Sequence, residues 1–213
     1  MTEAQISSLV SAWQPNFNGV LLPPSHDEFA VARRVWNGMI DRQPALIARC
    51  TSAQDVISAI KLARAEGLHL SVRGGGHSVA GSAVCQDGLM VDLSPMKNVS
   101  VDPARREAVA EPGVLWGITR RVLTDWLQRR ASVSYGDRGL NAGRRTGYLM
   151  GKHGAVCDNL LSVDLVPPMV SSSPQARRSI RTCSGRYAVR EEILASSLHS
   201  GTVFTHSQEF LAD

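Results

Sequence analysis

The sequence lacks any apolar run that approaches the roughly 20 residues of a membrane-spanning helix. Its first ten residues also lack the basic and apolar regions of a signal peptide. We therefore expect a cytoplasmic protein with no membrane partner. Cysteine is scarce and forms no C-x-x-C pair, which argues against a zinc site or a disulfide framework. We predict no metal and expect an unreactive thiol at each of Cys50, Cys85, Cys157 and Cys183.

Positive charge is in excess, but it is unevenly distributed. The formal net charge is +4, whereas residues 117–147 and 167–213 together carry twelve Arg against six acidic residues. Such basicity suits a polyanionic partner, so an arginine-rich nucleic-acid-binding protein is one hypothesis. Neither segment shows interleaved aromatic residues or a recognisable nucleic-acid-binding module. We therefore predict no nucleic-acid partner.

A glycine-rich stretch follows the strand predicted over Leu68–Arg73. It reads Gly74-Gly75-Gly76-His77-Ser78-Val79-Ala80-Gly81. Glycine permits left-handed backbone and close approach to a ligand, and successive N–H groups in such a turn bind anions. The spacing fits neither the dinucleotide fingerprint, whose third glycine would fall on Val79, nor the P-loop. The stretch is therefore a candidate phosphate-binding loop of another kind.

A longer ordered pattern surrounds this loop. Arg73-Gly74-Gly75-Gly76-His77-Ser78-x-x-Gly81 is followed by Asp87-Gly88-Leu89-Met90-Val91-Asp92-Leu93 and later by Val99-x-Val101-Asp102-Pro103. The pattern resembles the FAD-linked oxidases of the p-cresol methylhydroxylase and vanillyl-alcohol oxidase type. Within them it is most similar to the branch of berberine-bridge-enzyme and 6-hydroxynicotine-oxidase relatives. The resemblance covers residues 28–117 and 147–166.

The resemblance implies FAD as cofactor and a role for each loop residue. His77 would bond covalently to the 8α-methyl group of the flavin, and a neutral imidazole is a competent nucleophile. The alternative is that His77 only forms hydrogen bonds within a tight turn. The residues implied to line the FAD pyrophosphate are Arg73, Gly74, Gly75, Gly76, Ser78 and Gly81. Asp158 and Asn159 would help to hold a second subdomain near the cofactor, or serve as a turn or helix cap.

The predicted fold is α+β: an FAD-binding domain of the p-cresol methylhydroxylase type, incomplete, with two α/β subdomains. Periodicity predicts a helix over His26–Trp36, with Phe29, Ala32, Val35 and Trp36 on one face. Thr51 or Ser52 can cap a further helix, and Asp55 lies at the capping-box distance from Ser52. Gly67 should end this helix. The predicted strands are Pro44–Arg49, Leu68–Arg73, Leu89–Leu93, Asn98–Val101 and Glu107–Ala110. A further helix should open at Val114.

The domain boundaries follow from where the resemblance holds. Residues 1–40 form an N-terminal lead-in, 41–166 the FAD-binding domain and 167–213 a non-family tail, frame-shifted or disordered. Within the domain, 118–146 diverge. Gly143-Arg144-Arg145 can be encoded by codons that read Gly-Gly-Gly one base later, as the family requires at this point. We interpret 118–146 and 167–213 as out-of-frame translations of a gene of this family.

The implied function is an FAD-dependent oxidoreductase that oxidises a small organic substrate by hydride transfer to a His-linked flavin, with O2 as electron acceptor. The alternative is a truncated, inactive remnant that binds FAD weakly or not at all. Three carboxylates, Asp92, Asp102 and Glu111, lie at turns and strand ends, where structural roles are expected. No catalytic acid or base is assigned, because the substrate-binding half of the family has no counterpart here.

Overall fold

The structure, a computed structural model, describes residues 1–102, 104, 107–115, 162–166, 178–181 and 203–206. A four-stranded sheet supports the candidate loop. Its strands are β1 (Val20–Leu22), β2 (Leu46–Arg49), β3 (Leu70–Arg73) and β4 (Leu89–Asp92). Their order in the sheet is β1-β2-β4-β3. β2, β4 and β3 run parallel, and β1 pairs antiparallel with β2 at one edge.

The predicted strand–helix–strand unit at the start of this sheet is confirmed. Helix α3 (Ala53–Ala65) connects β2 to β3 and begins at the Ser52–Asp55 capping box. It ends before Gly67, whose φ of 62° is the left-handed conformation typical of a glycine that terminates a helix. The two strands are not neighbours, however, because β4 lies between them and pairs with both.

The N-terminal residues contribute more structure than their sequence predicted. Helix α1 (Glu3–Trp13) begins at a capping box between Thr2 and Gln5. The helix predicted over His26–Trp36 is wrong in length, because α2 comprises only Phe29–Ala32. Trp36 lies outside it and 67% of its surface is exposed. The first 40 residues therefore supply α1, β1 and α2.

Both faces of the sheet are buried. Alternating side chains of β2 and β4 project to opposite sides, as the two-residue period of a strand requires. One set packs with α1 and α3 and is joined by Val166. The other set, which includes Ile47 and Met90, packs with Phe29 and Ala32 of α2. Strands enclosed in this way hold a fixed register, so the residues that follow their carboxyl ends are fixed as well.

The remaining described strands form two further sheets. β5 (Val99–Asp102) and β6 (Glu107–Ala110) form the predicted antiparallel hairpin. Val114 and Leu115 are not helical, and the rest of the helix predicted from Val114 lies outside the described residues. A three-stranded antiparallel sheet has the order β8-β7-β9. It consists of β7 (Ser162–Val166), β8 (Arg178–Arg181) and β9 (Val203–His206), the last two within the segment predicted as a non-family tail.

Asp55 connects α3 to the chain before β1. Its buried carboxylate accepts hydrogen bonds from the backbone N–H groups of Asn18 at 2.7 Å, Thr51 at 2.9 Å and Ser52 at 3.0 Å, and from the Thr51 hydroxyl. Burial alone raises the pKa of a carboxyl group, but these hydrogen bonds outweigh it and lower the pKa of Asp55 below 3.8. The ionised form of Asp55 therefore stabilises the fold.

Asp55→Asn should lower the free energy of unfolding by about 2 kcal/mol at pH 7, because an amide N–H group would then face hydrogen-bond donors. A lowered pKa stabilises the protein above the unfolded value and ceases to do so as the pH falls through the folded value. The difference between wild type and variant should therefore shrink towards pH 3. Urea unfolding from pH 7 to pH 3 measures it, with the exposed Asp27→Asn as control. A difference independent of pH would contradict the role of the charge.

Candidate functional site

The glycine loop, residues 74–81, leaves the carboxyl end of β3. The neighbouring strand β4 ends at the same edge of the sheet, because β3 and β4 are parallel and in register from Leu70 with Leu89 to Arg73 with Asp92. Ligands of open α/β sheets bind at this carboxyl edge. Six of the predicted site residues lie in this loop, and Arg73 directly precedes it. Asp158 and Asn159, also predicted for the site, lie outside the described residues.

Two glycines of the loop have backbone conformations that other residues rarely adopt. Gly76 has a φ of 76° and Gly81 a φ of 74°. A Cβ atom added at Gly76 would lie 3.2 Å from Nε of Arg73, and one added at Gly81 would lie 2.8 Å from Cγ2 of Ile40. The loop therefore packs closely against side chains at both places and requires glycine there.

Ser78 closes the turn within the loop. Its carbonyl oxygen accepts a hydrogen bond from the backbone N–H of Gly81 at 3.1 Å. Its hydroxyl oxygen accepts a hydrogen bond from the backbone N–H of Ser82 at 3.1 Å and lies 2.8 Å from the Ser82 hydroxyl. Ser78 thus fixes the second half of the loop through its own neighbours in the sequence.

A buried carboxylate lies beneath the loop. Asp92, the last residue of β4, is fully buried. Its oxygens accept hydrogen bonds from Nη1 of Arg73 at 3.0 Å and from Nε of Arg49 at 3.5 Å. They also accept bonds from the backbone N–H and the hydroxyl of Ser94. A buried charge requires partners of this kind. Asp92 is therefore structural, as predicted, and it fixes the guanidinium of Arg73.

A second segment supports the loop from the side. This segment, residues 36–42, is called the strap here. The backbone N–H of Trp36 donates to the carbonyl oxygen of Gly76 at 2.9 Å, and Nδ2 of Asn37 donates to that of Val79 at 2.9 Å. Nη1 of Arg42 donates to the carbonyl oxygen of Gly81 at 2.9 Å. The strap was not predicted as part of the site, although the Trp36-Asn37 pair lies within the residues that resemble the FAD-linked oxidases.

His77 is half-buried within the loop and lies beside the strap. The ring centroids of His77 and Trp36 are 5.9 Å apart, and the ring planes differ by 28°, which is a stacked arrangement. The strap therefore contacts the His77 side chain as well as the loop backbone.

The other candidate groups have local structural roles. Asp102 accepts a hydrogen bond from the backbone N–H of Ala104 at 3.0 Å, and Glu111 accepts two from Asn98. Burial raises the pKa of both the Cys50 and the Cys85 thiol, which disfavours the reactive thiolate. Cys157 and Cys183 lie outside the described residues. Nothing in these groups suggests a catalytic acid, base or thiol.

The described residues include neither a helix long and apolar enough to cross a bilayer nor a cluster of metal-binding side chains. The metal-binding criterion is a group of three or more His, Cys, Asp or Glu side chains placed to hold one ion.

A mixed sheet with a glycine loop at its carboxyl edge and a histidine in that loop defines an α+β domain suited to a phosphate-containing cofactor. The FAD binding domain family matches residues 44–169, which is more than half of the sequence. The chain belongs to this family, and the resemblance noted in the sequence is confirmed.

The curated relatives are longer proteins. The chain is 32% identical to (R)-6-hydroxynicotine oxidase of Paenarthrobacter nicotinovorans over 156 residues, which cover 71% of this chain and 34% of that protein. It is 31% identical to aclacinomycin-N/aclacinomycin-A oxidase of Streptomyces galilaeus over 170 residues, or 74% of this chain and 30% of the relative. The chain spans about a third of the length of these relatives.

Solved structures of the same fold confirm the predicted fold class. 6-Hydroxy-D-nicotine oxidase from Arthrobacter nicotinovorans superimposes with a TM-score of 0.75 at 28% identity, over 92% of this chain and 42% of the other. A BBE-like protein of Physcomitrella patens gives 0.75 at 21% identity, over 98% and 44%. Glucooligosaccharide oxidase from Acremonium strictum, with a 6-S-cysteinyl, 8α-N1-histidyl FAD, gives 0.74 at 22% identity, over 97% and 42%.

Asp92→Ala should lower the free energy of unfolding by about 3 kcal/mol or more, because it leaves the mostly buried guanidinium of Arg73 without its carboxylate. The matched control is the ion pair of Arg33 with the exposed Asp41, 2.5 Å apart. Asp41→Ala should cost less than about 1 kcal/mol, as surface ion pairs do. Urea unfolding at pH 7 compares the two. Similar small losses for both variants would contradict the importance of the buried carboxylate.

Proposed function

We propose that this chain forms the FAD-binding part of an FAD-linked oxidase and that the glycine loop holds the FAD pyrophosphate. The single observation that carries the proposal is the position of the loop at the carboxyl edge of parallel strands, in a chain of the FAD binding domain family. Gly74, Gly75 and Gly76 present backbone without side chains. A phosphate group can therefore approach their N–H groups closely.

The charge beneath the loop suits the same ligand. Nε of Arg73 is buried and has no acceptor in the described part of the chain, and Gly76 packs against it. Nη1 of Arg73 is hydrogen-bonded to Asp92, but the positive charge of the side chain is delocalised over the whole guanidinium group and is retained. We infer that the positive charge of Arg73, which lies beneath the loop, attracts an anion into the loop. The N–H groups of the loop backbone would make the direct contacts to that anion. Ser78 and Gly81 complete the binding turn.

His77 is proposed to anchor the flavin. One imidazole nitrogen would use its lone pair to form a C–N bond to the 8α-methyl carbon. That carbon loses one proton, and the other ring nitrogen loses the proton it carried. The two electrons released pass to O2, which becomes hydrogen peroxide. The bond would hold the cofactor permanently in the site. The glucooligosaccharide oxidase of similar fold carries a histidyl bond of this type.

When bound, FAD supplies the hydride acceptor for oxidation of a small organic substrate, with O2 as the final electron acceptor. The described residues of this chain bind and orient the cofactor. No catalytic acid or base is assigned to them. The alternative is an inactive remnant of such an oxidase, which remains a proposal alongside the frame-shift interpretation of 118–146 and 167–213.

The proposal predicts that the purified protein retains yellow flavin after incubation with FAD and gel filtration. Gly76→Ala should weaken retention by about ten-fold or more, since a left-handed alanine costs 1–2 kcal/mol and its methyl group would press on Arg73. Gly67→Ala is the control, because Gly67 has a similar φ of 62° but lies before β3, at the end of the strand far from the loop. Equal retention in both variants would argue against the loop, and a colourless wild type would favour the remnant.

The covalent bond is tested separately. Flavin should remain in the pellet when the FAD-loaded protein is precipitated with acid, and His77→Ala should release it into the supernatant. His69→Ala is the matched control, because His69 is exposed and precedes β3. Free flavin in the supernatant of the wild type would refute the covalent bond but would leave FAD binding intact.

A further inference from the structure

Trp36 is exposed although it is large and apolar. Two thirds of its surface is accessible, and only one other exposed apolar residue of the strap, Met39, is comparable. A tryptophan in such a position gains little from burial. Its indole ring instead stacks on His77, the residue proposed to bond to flavin. The stacking contact is therefore the feature of Trp36 that needs an explanation.

The strap holds Trp36 against the loop at several points. The backbone N–H of Trp36 donates to the carbonyl oxygen of Gly76, the residue directly before His77. The Asn37 side chain donates to the carbonyl oxygen of Val79 and accepts from the backbone N–H of Met39 at 3.1 Å. Hydrogen bonds therefore tie the strap to the loop on both sides of His77. The indole ring cannot leave the imidazole by a simple movement of the backbone.

We propose that Trp36 is the positioning residue for His77. Its ring restricts rotation of the imidazole and keeps one ring nitrogen directed at the site of bond formation. The inference rests on the proposed covalent role of His77 and adds a second residue to that step. Holding a nucleophile in one orientation speeds a reaction, because less freedom is lost when the bond forms.

The proposal makes a specific prediction for flavin attachment. Trp36→Ala should slow covalent attachment about ten-fold at saturating FAD, within the range by which misplacement of a reacting group slows catalysis. Trp36→Phe keeps an aromatic ring and should retain most of the rate. Val31→Ala, at 65% exposure in α2 and outside the strap, is the control and should have no effect. The acid-precipitated flavin is measured against time after FAD is added.

A second measurement needs no flavin. Diethyl pyrocarbonate modifies accessible imidazole nitrogens, and peptide mass spectrometry assigns the modified residue. In the protein without added FAD, Trp36→Ala should change the modification rate of His77 several-fold relative to His69, which serves as internal reference. Trp36→Phe and the control Val31→Ala should leave that ratio close to the wild type. Urea unfolding of each variant verifies that the fold is retained.

The two measurements separate this inference from the proposed function. If the wild type attaches no flavin, the covalent function fails, and the modification ratio alone decides whether Trp36 positions His77. If Trp36→Ala attaches flavin as fast as the wild type, the positioning role is overturned while the covalent function stands. An unchanged modification ratio in Trp36→Ala also overturns the positioning role, whatever the flavin result.

Discussion

The ion pair between Asp92 and Arg73 is the interaction on which the candidate site depends. Asp92 ends β4 and Arg73 ends β3, and the two residues are paired in the register of the parallel strands. The carboxylate is fully buried, so it must keep its partners. This requirement fixes the guanidinium beneath the loop, and the guanidinium in turn requires glycine at position 76. The conformation of the loop is thus determined by a charge that the loop itself does not contact.

The loop is constrained on two sides by different physical means. From below, Arg73 packs against Gly76; from the side, Ile40 packs against Gly81 and the strap forms hydrogen bonds to the loop carbonyls. Both constraints come from the protein itself and need no ligand. A binding loop that is already ordered loses less freedom when it binds its ligand. The arrangement therefore suits a cofactor that must be held in one orientation.

Local signals in the sequence predicted the elements well, whereas contacts between distant residues were missed. The Ser52–Asp55 capping box and Gly67 gave both ends of α3. The same capping-box pattern, at Thr2 and Gln5, precedes α1, but no helix was predicted there. Periodicity extended α2 to Trp36 wrongly, because the N–H of Trp36 bonds to Gly76, 40 residues later in the chain. The position of β4 between β2 and β3 was not predicted for the same reason, because strand order depends on contacts between distant parts of the chain.

The strap also changes which part of the sequence can be regarded as the site. The predicted FAD-binding domain begins at residue 41, but Trp36, Asn37 and Ile40 precede it and contact the loop. β1 likewise precedes it and pairs with β2. A chain that began at residue 41 would keep the glycine loop and Asp92 while losing the lateral support and the ring stacked on His77. Because these residues contact the loop directly, the residues before 41 belong physically to the same structural unit as the loop.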